Sequence, residues 1–142
     1  MKTYKASHMI KSEDLNHHQN LYAGRAIEWM MESSFIAAVG EHKNKHGLLY
    51  KNTHQFNFFS PVDPGEIISY ESTVVRTGKT SFTIHIDVIS EETGKKKAEG
   101  YTTFVTIDEQ IRPEAHGIRL DETDREEELK WRREAEAFFS GK

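Results

Sequence analysis

The chain has 142 residues, 36% hydrophobic and 30% charged, with no cysteine and a formal net charge of -4, which predicts one globular domain with a sizeable core. Without cysteine there is no disulfide, thiolate metal site or cysteine nucleophile, in keeping with a reducing compartment, and the small acidic excess gives no general reason to bind nucleic acid. No apolar run of about 18 residues offers a membrane span or a signal peptide, so the expectation is a cytoplasmic protein that binds neither membrane nor nucleic acid.

Along the chain, Tyr4, Ala6, His8 and Ile10 alternate with Lys5, Ser7 and Met9, and a period of two predicts a short strand. From Ala23 to about Val39 the period becomes helical: Ala23, Ile27, Met30, Ser34, Ala37 and Ala38 share one broad face, while Arg25, Glu28 and Glu32 share the opposite one. Trp29 and Ile36 beside those charges predict a helix enclosed on most sides, and Gly40 predicts its C-terminal stop. Four strand segments follow, at residues 48–59, 66–76, 80–90 and 97–107. In the third, Phe82, Ile84, Ile86 and Val88 alternate with Thr83, His85 and Asp87, as a sheet with one buried face requires. The breaks read PVDPG (61–65), TGK (77–79) and EETG (91–94), and three consecutive short connections predict an antiparallel meander. In the tail, Thr123 and Glu126 form the T-x-x-E helix-entry signature, and Trp131, Ala135 and Phe138 make one apolar stripe for docking on the body or on a partner. The order predicts an α+β arrangement with the sheet wrapped around a central helix, residues 1–120 forming the domain and residues 121–142 an amphipathic helix.

Taken singly, the candidate chemical groups are weak. His17 and His18 are adjacent and cannot both face one centre from a regular element; His42 and His46 have the i, i+4 spacing of a helical metal pair but sit among lysines. There is no G-x-S-x-G, and Gly65, Gly78, Gly94 and Gly100 fit neither phosphate-cradling fingerprint. Residues 14–24, DLNHHQNLYAG, stand out as a polar loop entering the apolar helix through small residues. Bare backbone N–H groups at a helix start can face a ligand there, and the helix dipole adds partial positive charge suited to a developing oxyanion.

These residues resemble the hotdog-fold acyl-CoA thioesterases, in the branch whose pattern runs N-x-x-G, then L/I-F-G-G, then a helix with W-M-D-E. The chain offers Asn16, Gln19, Leu21-Tyr22-Ala23-Gly24 and Trp29-Met30-Met31-Glu32; RTGKTS (76–81) and FFSPVDPG (58–65) match two later motifs, and the likeness spans about residues 8–113. The resemblance implies a five-stranded antiparallel sheet around the long helix. It implies subunits pairing as a homodimer, or a hexamer as a trimer of dimers, with active sites at the interface. It implies hydrolysis of an acyl-CoA to a carboxylic acid and free CoA with no metal or other cofactor, coenzyme A arriving as part of the substrate. Ala23 and Gly24 then supply oxyanion N–H groups, while Arg76, Gly78, Lys79, Thr80 and Ser81 meet the coenzyme. The chain departs from the pattern at Ala23, at Gln19 and at Met31, which stands where the catalytic aspartate belongs and can take no proton. Glu32 is the candidate replacement, eight residues after Gly24 as position 31 is after Ala23. The other reading of Arg25, Glu28 and Glu32 is a solvated helix face. Asn16 and Gln19 are candidates for orienting water or thioester, and His17 is the reserve base. A noncatalytic acyl-CoA binding protein that lost its base is the alternative.

Overall fold

A computed structural model describes residues 1–140; the last two residues of the 121–142 segment lie outside the described residues. The elements are β1 (Thr3–Met9), α1 (Ala23–His42), β2 (Leu48–Phe58), β3 (Ile67–Thr77), β4 (Ser81–Ser90), β5 (Lys96–Thr106) and α2 (Glu126–Ala137). All strand pairs are antiparallel, in the order β1-β3-β4-β5-β2. The predicted meander therefore holds only for β3, β4 and β5. The connection 59–66 is no hairpin: Leu21 N–H bonds the Val62 carbonyl at 2.9 Å, so this segment is pinned to the loop before α1 while β2 goes to the far edge.

The sheet wraps α1, which buries Ala26, Met30, Ser33, Ser34, Ala37 and Ala38. Ile27 and Ile36 stay 41% and 47% exposed, so the helix is less enclosed than the sequence predicts. Small residues on the buried face let the sheet approach closely, and Tyr70 spans the gap by donating its hydroxyl to the Ala26 carbonyl at 2.8 Å. Gly40 does not stop the helix. It lies under the Tyr4 ring, where an added Cβ would come within 2.3 Å, and the helix ends instead at Lys43, whose φ is 65°.

β4 is buried on both faces, contrary to the one-face expectation, because α2 covers the outer side. Phe82, Ile84 and Ile86 face the main core, whereas Val75, Tyr101, Trp131 and Ala135 form a second one. The T-x-x-E box does not form: Thr123 accepts the Arg125 N–H at 3.2 Å, and α2 starts one residue later.

Under α2, His85 Nε2–H donates to Glu99 at 2.6 Å, and the Lys96 ammonium lies 3.1 Å from Asp87 and 3.4 Å from Glu99. The bond from His85, aided by Lys96, holds the Glu99 carboxyl below its ordinary value of 4.5. Burial pushes Asp87 up. Burial also presses Glu66 upward, but the Asp63 N–H, Ser90 and Lys97 together bring it below its usual value. A carboxylate depressed in the folded state stabilises the fold above its unfolded pKa, and that contribution is lost as pH falls through the folded value. Melting temperature is thus expected to fall as the pH drops below about 4.5, the ordinary glutamate value, and Glu99→Gln is expected to flatten the slope. Thermal melts from neutral pH to about pH 3 check this; an unchanged slope in the variant would remove Glu99 from the account.

Candidate active site

The loop before α1 is built on Asp14, which is buried. Its carboxylate accepts the Lys11 N–H at 2.9 Å and meets Arg25 Nε at 3.4 Å, while its carbonyl accepts the Tyr22 N–H at 2.8 Å. Leu15 and Leu21 then bridge, and inside that bridge Asn16 and Asn20 close the loop through an N–H to carbonyl bond of 2.7 Å. The Asn16 Oδ1 accepts N–H groups from His18 at 2.9 Å and Asn20 at 3.2 Å. With its oxygen so engaged, Asn16 presents its NH₂ donors. Gln19 has φ of 63°, the left-handed conformation that the glycine of the resembling pattern takes freely.

At the start of α1 the Tyr22 carbonyl accepts Arg25 and Ala26 at 3.0 and 3.1 Å. The N–H groups of Ala23 and Gly24 have no acceptor among the described residues. Ala23 is not among the positive-φ residues, so its methyl costs no backbone strain. A cavity of about 380 Å³ lies here, lined by Asn16, Asn20, Leu21, Ala23 and residues 58–62.

Of the expected residues, the fold brings together Asn16, Ala23 and Gly24. His17 and His18 are exposed beside them, rings 4.0 Å apart. Glu32 lies elsewhere on α1. Met31 is half-buried and packs on the main core, near Phe35, whose ring lies 5.9 Å from Phe104. Glu32 sits about 100° further round the helix and is exposed; like Tyr22, Gly24 and Met31, it is not among the residues that line the cavity. Its charge reaches His8 on β1 instead: burial pushes the His8 imidazole down, opposed by Glu32 and Asp14.

The 76–81 turn stands apart from this cavity. Lys79 is exposed, whereas Arg76 lies 3.6 Å over the Phe139 ring, 3.7 Å from Glu136 and 3.4 Å from the Ser81 hydroxyl. Gly78 N–H closes the turn onto the Ser81 carbonyl at 3.0 Å, and the Thr80 carbonyl accepts the Thr106 N–H at 2.8 Å.

Sequence reasoning passed over Asp63, which accepts the Asn20 side-chain N–H at 3.1 Å, and Phe58 and Phe59 in the cavity wall, although the FFSPVDPG motif marked all three. It also missed His85, Asp87 and Glu99, whose ligand atoms lie within 4.8 Å of one another. Lys96 already supplies a cation to both carboxylates.

A five-stranded antiparallel sheet curled around one helix, with free N–H donors at the helix start, is the hotdog architecture of thioester-cleaving proteins. The family model for the thioesterase superfamily matches residues 18–97, and the chain belongs to that superfamily. Among solved structures it is similar to the acyl-CoA hydrolase of Bacillus cereus, with 26% identity over 96% of this chain and 84% of that one and a TM-score of 0.86. An acyl-CoA hydrolase of Staphylococcus aureus, solved with butyryl coenzyme A, coenzyme A and coenzyme A disulfide, is 22% identical over 97% of this chain and 87% of that one, TM-score 0.73. An apo-hexameric acyl-CoA thioesterase is 23% identical over 95% and 86%, TM-score 0.81. The last two carry the fold alone. No curated protein matches the chain.

Proposed function

We propose that the protein is an acyl-CoA thioesterase whose oxyanion site is the start of α1. The observation that carries this is the pair of acceptor-free N–H groups at Ala23 and Gly24, beside the cavity and the donor face of Asn16. In the proposed reaction the thioester oxygen lies against these donors and water attacks the carbonyl carbon. The oxyanion collapses, the carbon–sulfur bond breaks, and sulfur leaves with the electron pair as coenzyme A thiolate, giving the carboxylic acid. His17, next to Asn16, is the candidate base that takes the proton from water. Glu32 faces the other flank. Lys79, with Thr80, Ser81 and the Gly78 backbone, is assigned to the coenzyme's phosphates, Arg76 joining them where it leaves Glu136. The route calls for no metal or redox cofactor.

Exposed Leu49, Tyr50 and Phe58 on the edge strand β2 support pairing with a second copy, and the hexamer of the similar thioesterase supports a trimer of dimers. No described helix is long and apolar enough to cross a membrane.

The test is steady-state release of free thiol from acyl-CoAs, acetyl to palmitoyl plus aromatic thioesters. Asn16→Ala is expected to lower kcat about tenfold or more, since it removes an oxyanion donor. Glu32→Gln is expected to stay within about threefold, under 1 kcal/mol of barrier. A collapse of turnover in Glu32→Gln would place that carboxylate at the chemistry, in a site completed by a partner subunit. Tight acyl-CoA binding without turnover in the unaltered protein would make Met31 the mark of a pocket converted to binding.

A further inference from the structure

Tyr22 is the residue immediately before α1, and its side chain is 57% exposed. The ring nevertheless has a defined seat. A Cβ built on Gly24 would fall 2.5 Å from Tyr22 Cε2, 2.8 Å from Cζ and 2.9 Å from the hydroxyl oxygen. The Cε2–Cζ–hydroxyl edge of the phenol therefore lies against Gly24, in the space a side chain would take. Only glycine at position 24 leaves room for it there.

That seat sets the reach of the hydroxyl. Standard backbone geometry puts the hydroxyl oxygen no more than about 5.4 Å from the Gly24 nitrogen. Two donors on the lone pairs of one carbonyl oxygen, roughly 120° apart, stand about 5 Å from one another, a separation within that limit. The Gly24 N–H has no acceptor, and the Tyr22 hydroxyl has none among the described residues. By helix geometry, with about 100° per residue, Gly24 lies on the same flank as Met31. The hydroxyl thus stands over the first turn, on the flank where Met31 replaces the carboxylate of the resembling pattern. That pattern reads L/I-F-G-G where this chain reads Leu21-Tyr22-Ala23-Gly24, so the chain differs by one hydroxyl at position 22.

We infer that the Tyr22 hydroxyl is a further catalytic donor, bonding the thioester oxygen together with the backbone N–H groups of Ala23 and Gly24. The inference rests on the thioesterase reading above. The phenol keeps its proton throughout. It donates a hydrogen bond that strengthens as the carbonyl π electrons move onto oxygen during attack by water, and that weakens again as the carbon–sulfur bond breaks. A donor aimed at charge that exists only in the transition state acts on kcat and leaves ground-state binding nearly untouched.

Tyr22→Phe tests this, because it keeps the ring and its seat on Gly24 and deletes only the hydroxyl. Steady-state thiol release is measured for both proteins with the best substrate of the acyl-CoA series, alongside thermal melts. The expected result is a kcat lower by about tenfold or more with KM within about twofold and an unchanged melting temperature. A kcat within about twofold of the unaltered protein, or a change confined to KM, overturns the inference. Failure of the underlying reading looks different: the unaltered protein then releases thiol from none of the acyl-CoAs, and the role of Tyr22 falls with it.

Discussion

Ala23→Pro is expected to lower kcat by about 10²- to 10³-fold while the protein stays folded, the typical effect of removing one oxyanion donor. Ala23 is the first residue of α1. Proline is tolerated at that position because the N–H it lacks makes no intrahelical bond and its ring fixes a helical φ. The preceding residue must be extended, and Tyr22 already is, with φ of -66° and ψ of 129°. The substitution thus replaces one N–H of the cavity wall by a ring methylene and leaves the helix start otherwise undisturbed. Ala23→Gly, which keeps the N–H, is the matched control and is expected to turn over close to the unaltered rate. Steady-state kinetics on the two variants, with circular dichroism for the fold, decides the matter. Equal kcat in both would mean that the Ala23 N–H does not meet the developing charge.

The largest expected effect on stability is at the other face of the sheet. Trp131 is 6% exposed and stacks on the His85 imidazole at 3.7 Å with the planes 12° apart. Trp131→Ala is expected to cost about 3–5 kcal/mol, the usual range for emptying a buried tryptophan site. The loss also uncovers His85 and weakens the seat of α2, whose other ties include the Arg76–Glu136 ion pair at 3.7 Å, the Met1 N-terminus–Glu128 pair at 3.0 Å, the Tyr101–Glu134 hydrogen bond and the His54–Phe138 stack at 4.7 Å. Melting temperature should fall by about 10 °C or more, with Trp131→Phe recovering most of it. A fall of only a degree or two would show that α2 melts apart from the sheet and adds nothing to its cooperative unit.

The two predictions sit on opposite sides of β4 and differ in how legible they were. The loop and helix start were readable because their chemistry is local: a polar loop, a small-residue entry and a helical period are all set within some twenty consecutive residues. The apolar stripe of α2 was readable for the same reason, but its docking surface was not. His85 and Asp87 looked like the solvated side of a half-buried sheet. They became buried because a helix about forty residues downstream covers them, and no period of two reports a cover supplied from elsewhere. The place of Glu32 was hard to read for a related reason. Distance along the chain put it near the missing carboxylate, yet one step along a helix is about 100° of rotation, enough to turn it away from the Met31 flank and toward His8.

By itself, then, the sequence determined the element types, the α+β class and the central helix entered from a polar loop, since each depends on side-chain type and near-neighbour spacing; that Met31 stands in an aspartate's place came from the family resemblance. The tertiary structure alone decided that β2 crosses to the far edge and that both faces of β4 are buried. It also decided that the Asn16 oxygen is spent within its own loop and that the Tyr22 ring lies on Gly24. These follow from contacts between segments distant in the chain, or from side-chain rotation about bonds that sequence spacing leaves free. Such choices are settled only when the whole core packs at once.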